Sequence, residues 1–381
     1  MNLKVLWVTS EFPKHKKSNR NLYLWHSLEA LQHANVEVIV LYTPAWKPFY
    51  RKLFLHKEFP INIKTSRHFS FPRHYFRRIS NFLYITQIVS KIKKLNIAHQ
   101  FDIIHAHGEI AGLAATKAAH EIGIASVVTI HGIDMSPRML KGYKKKLFHP
   151  VFNLANKIIY VGEPLKKYFL EKIDKNVKCS IVENGFRLPD NQCVARYNEG
   201  CIRIISVSNL HEGKGIDLML RVLAQLKNQG IINWLYTIIG SGDQKPYLAQ
   251  LVHQFDLGKQ VIFLGDCSHD KVYENLALSD VFCLPSYREA FGIAYIEAMA
   301  HGLLTMGVKG QGPQAYIEHG KTGFLVEPKS INSLYNALNT VINNFEAMCK
   351  IAENGKQHVL ANYTWKKHAK NLIDVYKEVC Q

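Results

Sequence analysis

The chain has 381 residues, 47% of them hydrophobic and 20% charged, a length that suggests two domains and a composition that excludes a disordered or fibrous protein. Its net charge of +18 is lopsided: residues 1–190 hold 30 Lys+Arg against 13 Asp+Glu while the rest is nearly balanced, so the basicity belongs to one half. No apolar run reaches the roughly 18 residues that would cross a bilayer, the opening alternates like a strand and not like a leader peptide, and the seven cysteines are scattered without a CxxC pair; this argues for reduced thiols, a cytoplasmic setting and no zinc site.

In chain order, apolar runs of strand length alternate with segments of helix length. LKVLWVT (3–9), VEVIVLY (36–42), FDIIHA (101–106) and SVVTIH (126–131) read as strands in the first half. IRIISVS (202–208), WLYTIIG (234–240), QVIFLG (260–265) and DVFCLP (280–285) follow in the second. Strands that alternate with helices imply parallel sheets covered on both faces. Between the halves, Asn184 to Gly200 is weakly patterned, with Asn-Gly and Leu-Pro-Asp-Asn, and reads as a linker. The expected architecture is α/β: two doubly wound Rossmann-like domains, residues 1–185 and 186–363, facing a central cleft at the carboxyl ends of their sheets. A final helix over 364–381 carries Trp365, Leu372, Ile373, Val375 and Tyr376 near helical spacing.

The segment Ser286–Gly302, SYREAFGIAYIEAMAHG, concentrates the chemistry. It follows a strand and turns helical near Phe291, so the free N–H groups of a first helical turn face an anion, and Gly292 leaves room for its approach. Glu289 sits at the mouth of that helix, placed for sugar hydroxyls, and Glu297 lies further along, placed for a ribose hydroxyl. His131 follows the strand SVVTI and stands at the carboxyl edge of the first sheet. Asp134, three residues on, either orients an acceptor or caps the next helix. His105 and His107 also end a strand and are candidate lining residues; the three imidazoles have no metal-site spacing, so no metal is expected.

EAFGIAYIEAMAHG resembles the Glu-x7-Glu signature of the retaining GT-B glycosyltransferases of glycosyltransferase family 4, the glycosyl transferases group 1. SNLHEGKGIDLML resembles that family's phosphate-binding strand-loop-helix, and IIGSGDQKPYL resembles the next strand with its Gly-x-Gly turn at Gly240. VIFLGDCSHDKVYENLALSDVFCLPS and HGKTGFLVEP continue the likeness across the second half. TSEFP, FDIIHAHGEIAGLAA, TIHGIDMS and the ENG linker extend it more thinly through the first. The resemblance implies a GT-B fold whose last helix crosses back to the first domain, and a retaining transfer from a UDP- or GDP-sugar without a metal or other cofactor. It implies that Lys214, with Asn209, Gly240, Phe291, Gly292, Ile293 and Glu297, holds the donor. Glu289 and His131 flank the reacting sugar, with Asp134 and His107 on the acceptor side. Asn209 stands where many relatives have Arg, and the loop after the first strand lacks the relatives' glycines: either it takes another course with Asn19 or Asn21 as substitutes, or phosphate contact from the first domain is reduced. The Gly310-Gln311-Gly312 turn resembles a variant in members that act on cell-surface polysaccharides.

From Trp46 to Lys94 there are 12 Lys or Arg and one acid, Glu58, interleaved with aromatic residues that include Phe76 and Phe82. A basic, aromatic surface suits anionic lipid head groups, so the expected partners are a nucleotide sugar, a glycan or lipid-linked acceptor and an anionic membrane surface met peripherally. No nucleic-acid recognition motif is present. A nucleotide-sugar-binding scaffold without catalysis and a sugar-nucleotide epimerase of the same architecture are the alternatives.

Overall fold

The computed structural model describes residues 3–13, 21–46, 59–69, 76–132, 142–173, 176–188 and 200–381. They fall into two compact units, Met1–Asn184 with Trp365–Gln381, and Gly185–Thr364.

The first unit runs β1 (Lys4–Thr9), α1 (Leu22–His33), β2 (Glu37–Tyr42), β3 (Ala45–Trp46), β4 (Asn62–Thr65), β5 (His68–Phe69), α2 (Arg77–His99), β6 (Ile103–His107), α3 (Glu109–Ile122), β7 (Ala125–Ile130), α4 (Gly142–Leu154), β8 (Lys157–Tyr160), α5 (Glu163–Lys172) and β9 (Cys179–Ile181). Its described main sheet is parallel, in the order β4-β2-β1-β6-β7-β8-β9. The central strands are buried along nearly their whole length because helices cover both faces, which is why they carry unbroken apolar runs. Close helix-sheet packing selects small residues on α3: a Cβ on Gly112 would sit 2.9 Å from Val128 on β7. Asn21 precedes α1 at φ 60, a left-handed conformation that glycine usually takes and that Asn tolerates, so the chain turns into α1 without a glycine.

The second unit runs β10 (Ile202–Val207), α6 (Ile216–Asn228), β11 (Trp234–Ile239), α7 (Lys245–Gln254), β12 (Val261–Gly265), α8 (His269–Ala277), β13 (Val281–Cys283), α9 (Ile293–Ala300), β14 (Leu304–Val308), β15 (Phe324–Val326), α10 (Ile331–Asn343) and α11 (Phe345–Asn362). Its sheet is parallel too, in the order β12-β11-β10-β13-β14-β15. At the amino end, buried Asp280 takes the Arg203 guanidinium through two bonds of 2.7 and 2.9 Å and the Arg203 backbone N–H at 2.9 Å. This pins the start of β13 against β10, whose Ile204 and Ile205 pair with Val281 and Phe282.

The last helix, α12 (Trp365–Cys380), belongs to the first unit. Its Ala369, Leu372, Val375 and Tyr376 share one core with Trp7, Leu28, Leu31 and Val40. Several buried polar groups behind it are paired. The Trp7 indole N–H donates to the Tyr376 hydroxyl at 3.1 Å. That oxygen being an acceptor already, its own proton turns to His105 Nδ1 at 2.6 Å, and His105 Nε2–H then faces Thr129 Oγ1 at 2.7 Å. His368 Nδ1–H donates to the Glu183 carbonyl at 2.7 Å, which leaves Nε2 to accept from Ser27 Oγ at 2.6 Å. Lys157, buried at the start of β8, is paired with Glu378 of α12.

Candidate functional site

In a doubly wound sheet, ligands meet the loops beyond the carboxyl ends of the two strands where the order reverses, because those loops diverge to opposite faces. In the second unit these strands are β10 and β13. Their loops carry Lys214 and Glu289, whose Nζ and Oε2 lie 3.0 Å apart with side chains only 12% and 13% exposed. The loops are stitched together at their backbones: Tyr287 N–H donates to the Gly213 carbonyl at 3.0 Å, as does Ser286 Oγ at 3.2 Å. Gly215, at φ +69, lies so close that a Cβ would stand 2.3 Å from the Pro285 carbonyl oxygen. A glycine is required at that crossing.

Glu289 is held by its backbone, which leaves the carboxylate to its partner: its N–H donates to Gln311 Oε1 at 3.0 Å, and its carbonyl accepts from Gly312 N–H at 2.9 Å. The helix expected from Phe291 begins at Ile293, with Gly292 as its cap at φ 87 and no side chain capping the start. Among the described residues no side chain therefore takes the N–H groups of Ile293 and Ala294, while that of Tyr295 bonds the Gly292 carbonyl at 3.2 Å. The preceding carbonyls are occupied: that of Phe291 accepts from the Tyr316 hydroxyl at 2.6 Å, and that of Gly292, 3.0 Å from the same hydroxyl, accepts from Tyr295 N–H at 3.2 Å. The Phe291 side chain is buried against Tyr316 and Tyr363, so what it offers a ligand is backbone, while Ile293 is half-buried at the helix start.

Asn209 is exposed just beyond β10. Gly240 follows β11 at φ +131, and its Cα faces the Ser208 carbonyl so tightly that a Cβ would lie 1.8 Å from that oxygen. Leu210 N–H donates to the Ser241 carbonyl at 2.8 Å, so the Gly-Ser-Gly turn shapes the loop leading to Lys214. Glu297, on α9, is only 8% exposed and meets His269 Nε2 at 2.7 Å. Burial pulls the His269 pKa down, but the Glu297 hydrogen bond and charge outweigh it, and the net shift is upward.

In the first unit the reversal lies between β1 and β6, with Thr9 in register with His107. His107 ends β6 and His131 follows β7; His107 Nδ1 and His131 Nε2 share a hydrogen bond of 2.8 Å, the rings stacked at 5.1 Å. Tyr23 packs on His131 with ring centroids 4.7 Å apart. Together with Ser27, Thr129 and His368 they line a cavity of about 10 Å³. Burial, then His368, lowers the His131 pKa to about 3, and burial lowers His368 to about 4. His105 and His107 are pushed well below the usual range by burial and by neighbouring imidazoles. All four rings are neutral near pH 7. His105 also lines this cavity and is bonded at both nitrogens.

Asp134 and Asn19 lie outside the described residues. Among the described residues no group of three or more His, Cys, Asp or Glu is arranged for a metal, and no helix is long and apolar enough to cross a membrane. Sequence reasoning missed Gln311 and His269. The first was visible only as part of a glycine-flanked turn; the second stands beside the Ser268 N-cap, a signal for a helix start and not for a site.

Residues 194–358 match the family model described as glycosyl transferases group 1, and residues 21–188 match that described as glycosyltransferase family 4. The chain is 24% identical over 307 residues to N-acetyl-alpha-D-glucosaminyl L-malate synthase of Bacillus anthracis, covering 78% of this chain and 80% of that one. Among solved structures it is similar to sucrose-phosphate synthase from Thermosynechococcus elongatus, with a TM-score of 0.80 at 20% identity over 99% of this chain and 98% of that one. It is also similar to Anabaena HepE in complex with UDP and glucose, with a TM-score of 0.75 at 18% identity over 99% and 100% of the two chains. Both likenesses are of fold, and with the two parallel Rossmann-like sheets they make this a GT-B protein.

Proposed function

Because the chain belongs to the glycosyl transferases group 1 of glycosyltransferase family 4, we propose that it is a retaining hexosyltransferase that uses a nucleoside-diphosphate sugar and builds a cell-surface glycan or glycolipid. The observation that carries this is the meeting of Lys214 and Glu289 at the sheet reversal of the second unit, 3.0 Å apart beside an uncapped helix start. The Lys214 ammonium and the N–H groups at Ile293 supply positive charge where the diphosphate leaves, as transition-state stabilisation demands. Asn209 and Gly240 flank the diphosphate, with Asn209 giving a hydrogen bond where an Arg would give a charge. Glu289 holds sugar hydroxyls and Glu297 the ribose.

The acceptor hydroxyl attacks the anomeric carbon on the face from which the diphosphate departs. The bond from that carbon to the diphosphate oxygen breaks, the bond to the acceptor oxygen forms, and the acceptor proton passes to the departing phosphate. His131, oriented by His107, positions the sugar from the first unit, with Asp134 on the acceptor side. The chemistry as proposed requires no metal.

The acceptor side is read as membrane-facing. Phe76, Ile79, Phe82 and Leu83 are 64%, 50%, 68% and 43% exposed around the first turns of α2, a helix whose 23 residues include five Lys or Arg and no acid. Apolar side chains beside cations fit an anionic lipid surface at the cytoplasmic face, each cation contributing about 1 kcal/mol. Co-sedimentation with phosphatidylglycerol vesicles but not with phosphatidylcholine, reduced by Phe82→Ser, supports this; equal recovery with both lipids removes it.

The test of the main reading is a donor screen with UDP-, GDP- and ADP-sugars, following thermal stabilisation and slow hydrolysis. Stabilisation by one donor with hydrolysis to the retained anomer establishes the class. Tight donor binding without turnover on any acceptor supports the scaffold alternative, and no stabilisation by any donor removes the donor site.

A further inference from the structure

Glu297 lies inside α9, and among the described residues the hydrogen bonds to its carboxylate fall on Oε1 alone: His269 Nε2 at 2.7 Å and the Tyr273 hydroxyl at 3.3 Å. The Tyr273 hydroxyl has one proton, and its shorter contact, 2.7 Å, runs to the Arg187 carbonyl. The imidazole is therefore the donor that holds this carboxylate. His269 is itself fixed. It opens α8 behind the Ser268 cap, which accepts from Lys271 N–H, and its ring packs on Tyr273 with centroids 4.5 Å apart. Behind Glu297, His301 Nδ1 bonds the Glu297 carbonyl at 2.7 Å. The surrounding charges are Arg187, which carries Asp270 at 2.7 Å, and Glu297 itself.

We propose that His269 is a positioning residue for nucleotide recognition: by occupying Oε1 of Glu297 it turns Oε2 toward the ribose hydroxyls of the donor. The inference rests on the reading that Glu297 meets the ribose. A carboxylate on a three-torsion side chain loses rotamer freedom when it binds, and a partner that fixes it beforehand removes that cost from the binding step. The bond is charge-assisted while His269 is protonated and an ordinary one when it is neutral. Nucleotide affinity is therefore greatest below the His269 pKa, itself raised by Glu297, and declines as pH rises through it. The effect falls on KM for the donor and not on kcat, because the ribose is remote from the breaking bond.

The experiment is calorimetric titration of the full chain with UDP and GDP, each beside its 2′,3′-dideoxy counterpart. His269→Leu is expected to weaken the preferred ribonucleotide about tenfold. His269→Gln, whose amide nitrogen replaces Nε2, recovers most of that affinity, and neither variant changes binding of the dideoxy form. Equal weakening of both forms by His269→Leu, or no weakening in a protein of unchanged melting temperature, overturns the proposal. Unaltered affinity in Glu297→Ala, with binding still weakened in Lys214→Ala, overturns it while the donor reading stands. Absence of nucleotide binding in the wild type removes both.

Discussion

The amine of Lys214 and the carboxylate of Glu289 form an ion pair 3.0 Å long, two side chains from different loops that are each shielded from solvent. In the proposed reaction both have other partners, the diphosphate for Lys214 and the sugar for Glu289. Without a ligand, each neutralises the other, which keeps a buried cation from standing unpaired at the sheet edge. Glu289→Gln is therefore expected to keep or tighten UDP binding while turnover drops roughly 100-fold or more. Lys214→Ala weakens the nucleotide about 10- to 100-fold. Calorimetry paired with single-turnover rates separates the two, and parallel loss of affinity in both variants would make the pair a structural strut.

Gly240 and Gly123 both have positive φ but differ in surroundings. A Cβ at Gly240 would meet the Ser208 carbonyl at 1.8 Å, whereas nothing lies within 4 Å of one at Gly123. Gly123→Ala should cost about 1 kcal/mol from backbone conformation alone. Gly240→Ala should cost more than about 3 kcal/mol and displace the loop that carries Lys214. Chemical denaturation measures both, and equal losses would refute the steric account.

The buried imidazoles make the first unit sensitive to acid. His131 and His368 have folded-state pKa values of about 3 and about 4, below the ordinary 6.5. The unfolded chain thus binds more protons between those values and 6.5, and stability falls as pH drops through that window. Each such histidine contributes a slope of at most about 1.4 kcal/mol per pH unit. Melting temperature is expected to hold above pH 7 and decline steadily below 6. A profile for His368→Asn as steep as that of the wild type would contradict this origin.

Tyr376→Phe removes the oxygen that accepts from Trp7 and faces His105. Two buried groups lose their partner, and the cost is expected at about 1–3 kcal/mol for each group left unsatisfied. Equilibrium unfolding followed by Trp fluorescence reads it; a change below about 0.5 kcal/mol would mean that the groups find other partners.

Most of the eight strands legible in the sequence have apolar, unbroken runs because a parallel sheet buries both faces of its central strands; β12 is an edge strand whose Ile262 and Leu264 are exposed, legible from its apolar run alone. The strands that escaped notice have local reasons. β8 begins with Lys157, whose burial is made tolerable by Glu378 far along the chain. β14 carries Thr305 and Gly307, and β15 has only three residues. At the candidate site, the Glu-x7-Glu spacing drew attention to Glu289 and Glu297, while the pairing of Glu289 with Lys214 spans 75 positions and no spacing rule reports it. The same holds for His107 with His131 and His269 with Glu297, which depend on neighbouring strands and helices. At the start of α1, Asn21 takes the left-handed turn at φ 60 that a glycine would usually take; the loop residues 14–20 before it lie outside the described residues.

The first unit is written in two pieces, its opening 184 residues and its closing 17, with the whole second unit inserted between them. On the ribosome, that order is a schedule. β1 emerges before the inserted unit, yet Trp7 has no tyrosine to meet until α12 has been translated after that unit, whereas the inserted unit has all its strands in hand earlier. A strand made before the inserted unit is completed only after it, so loss of α12 strikes the core around β1, and nascent chains hold one apolar seam open to chaperones while the second unit is being translated.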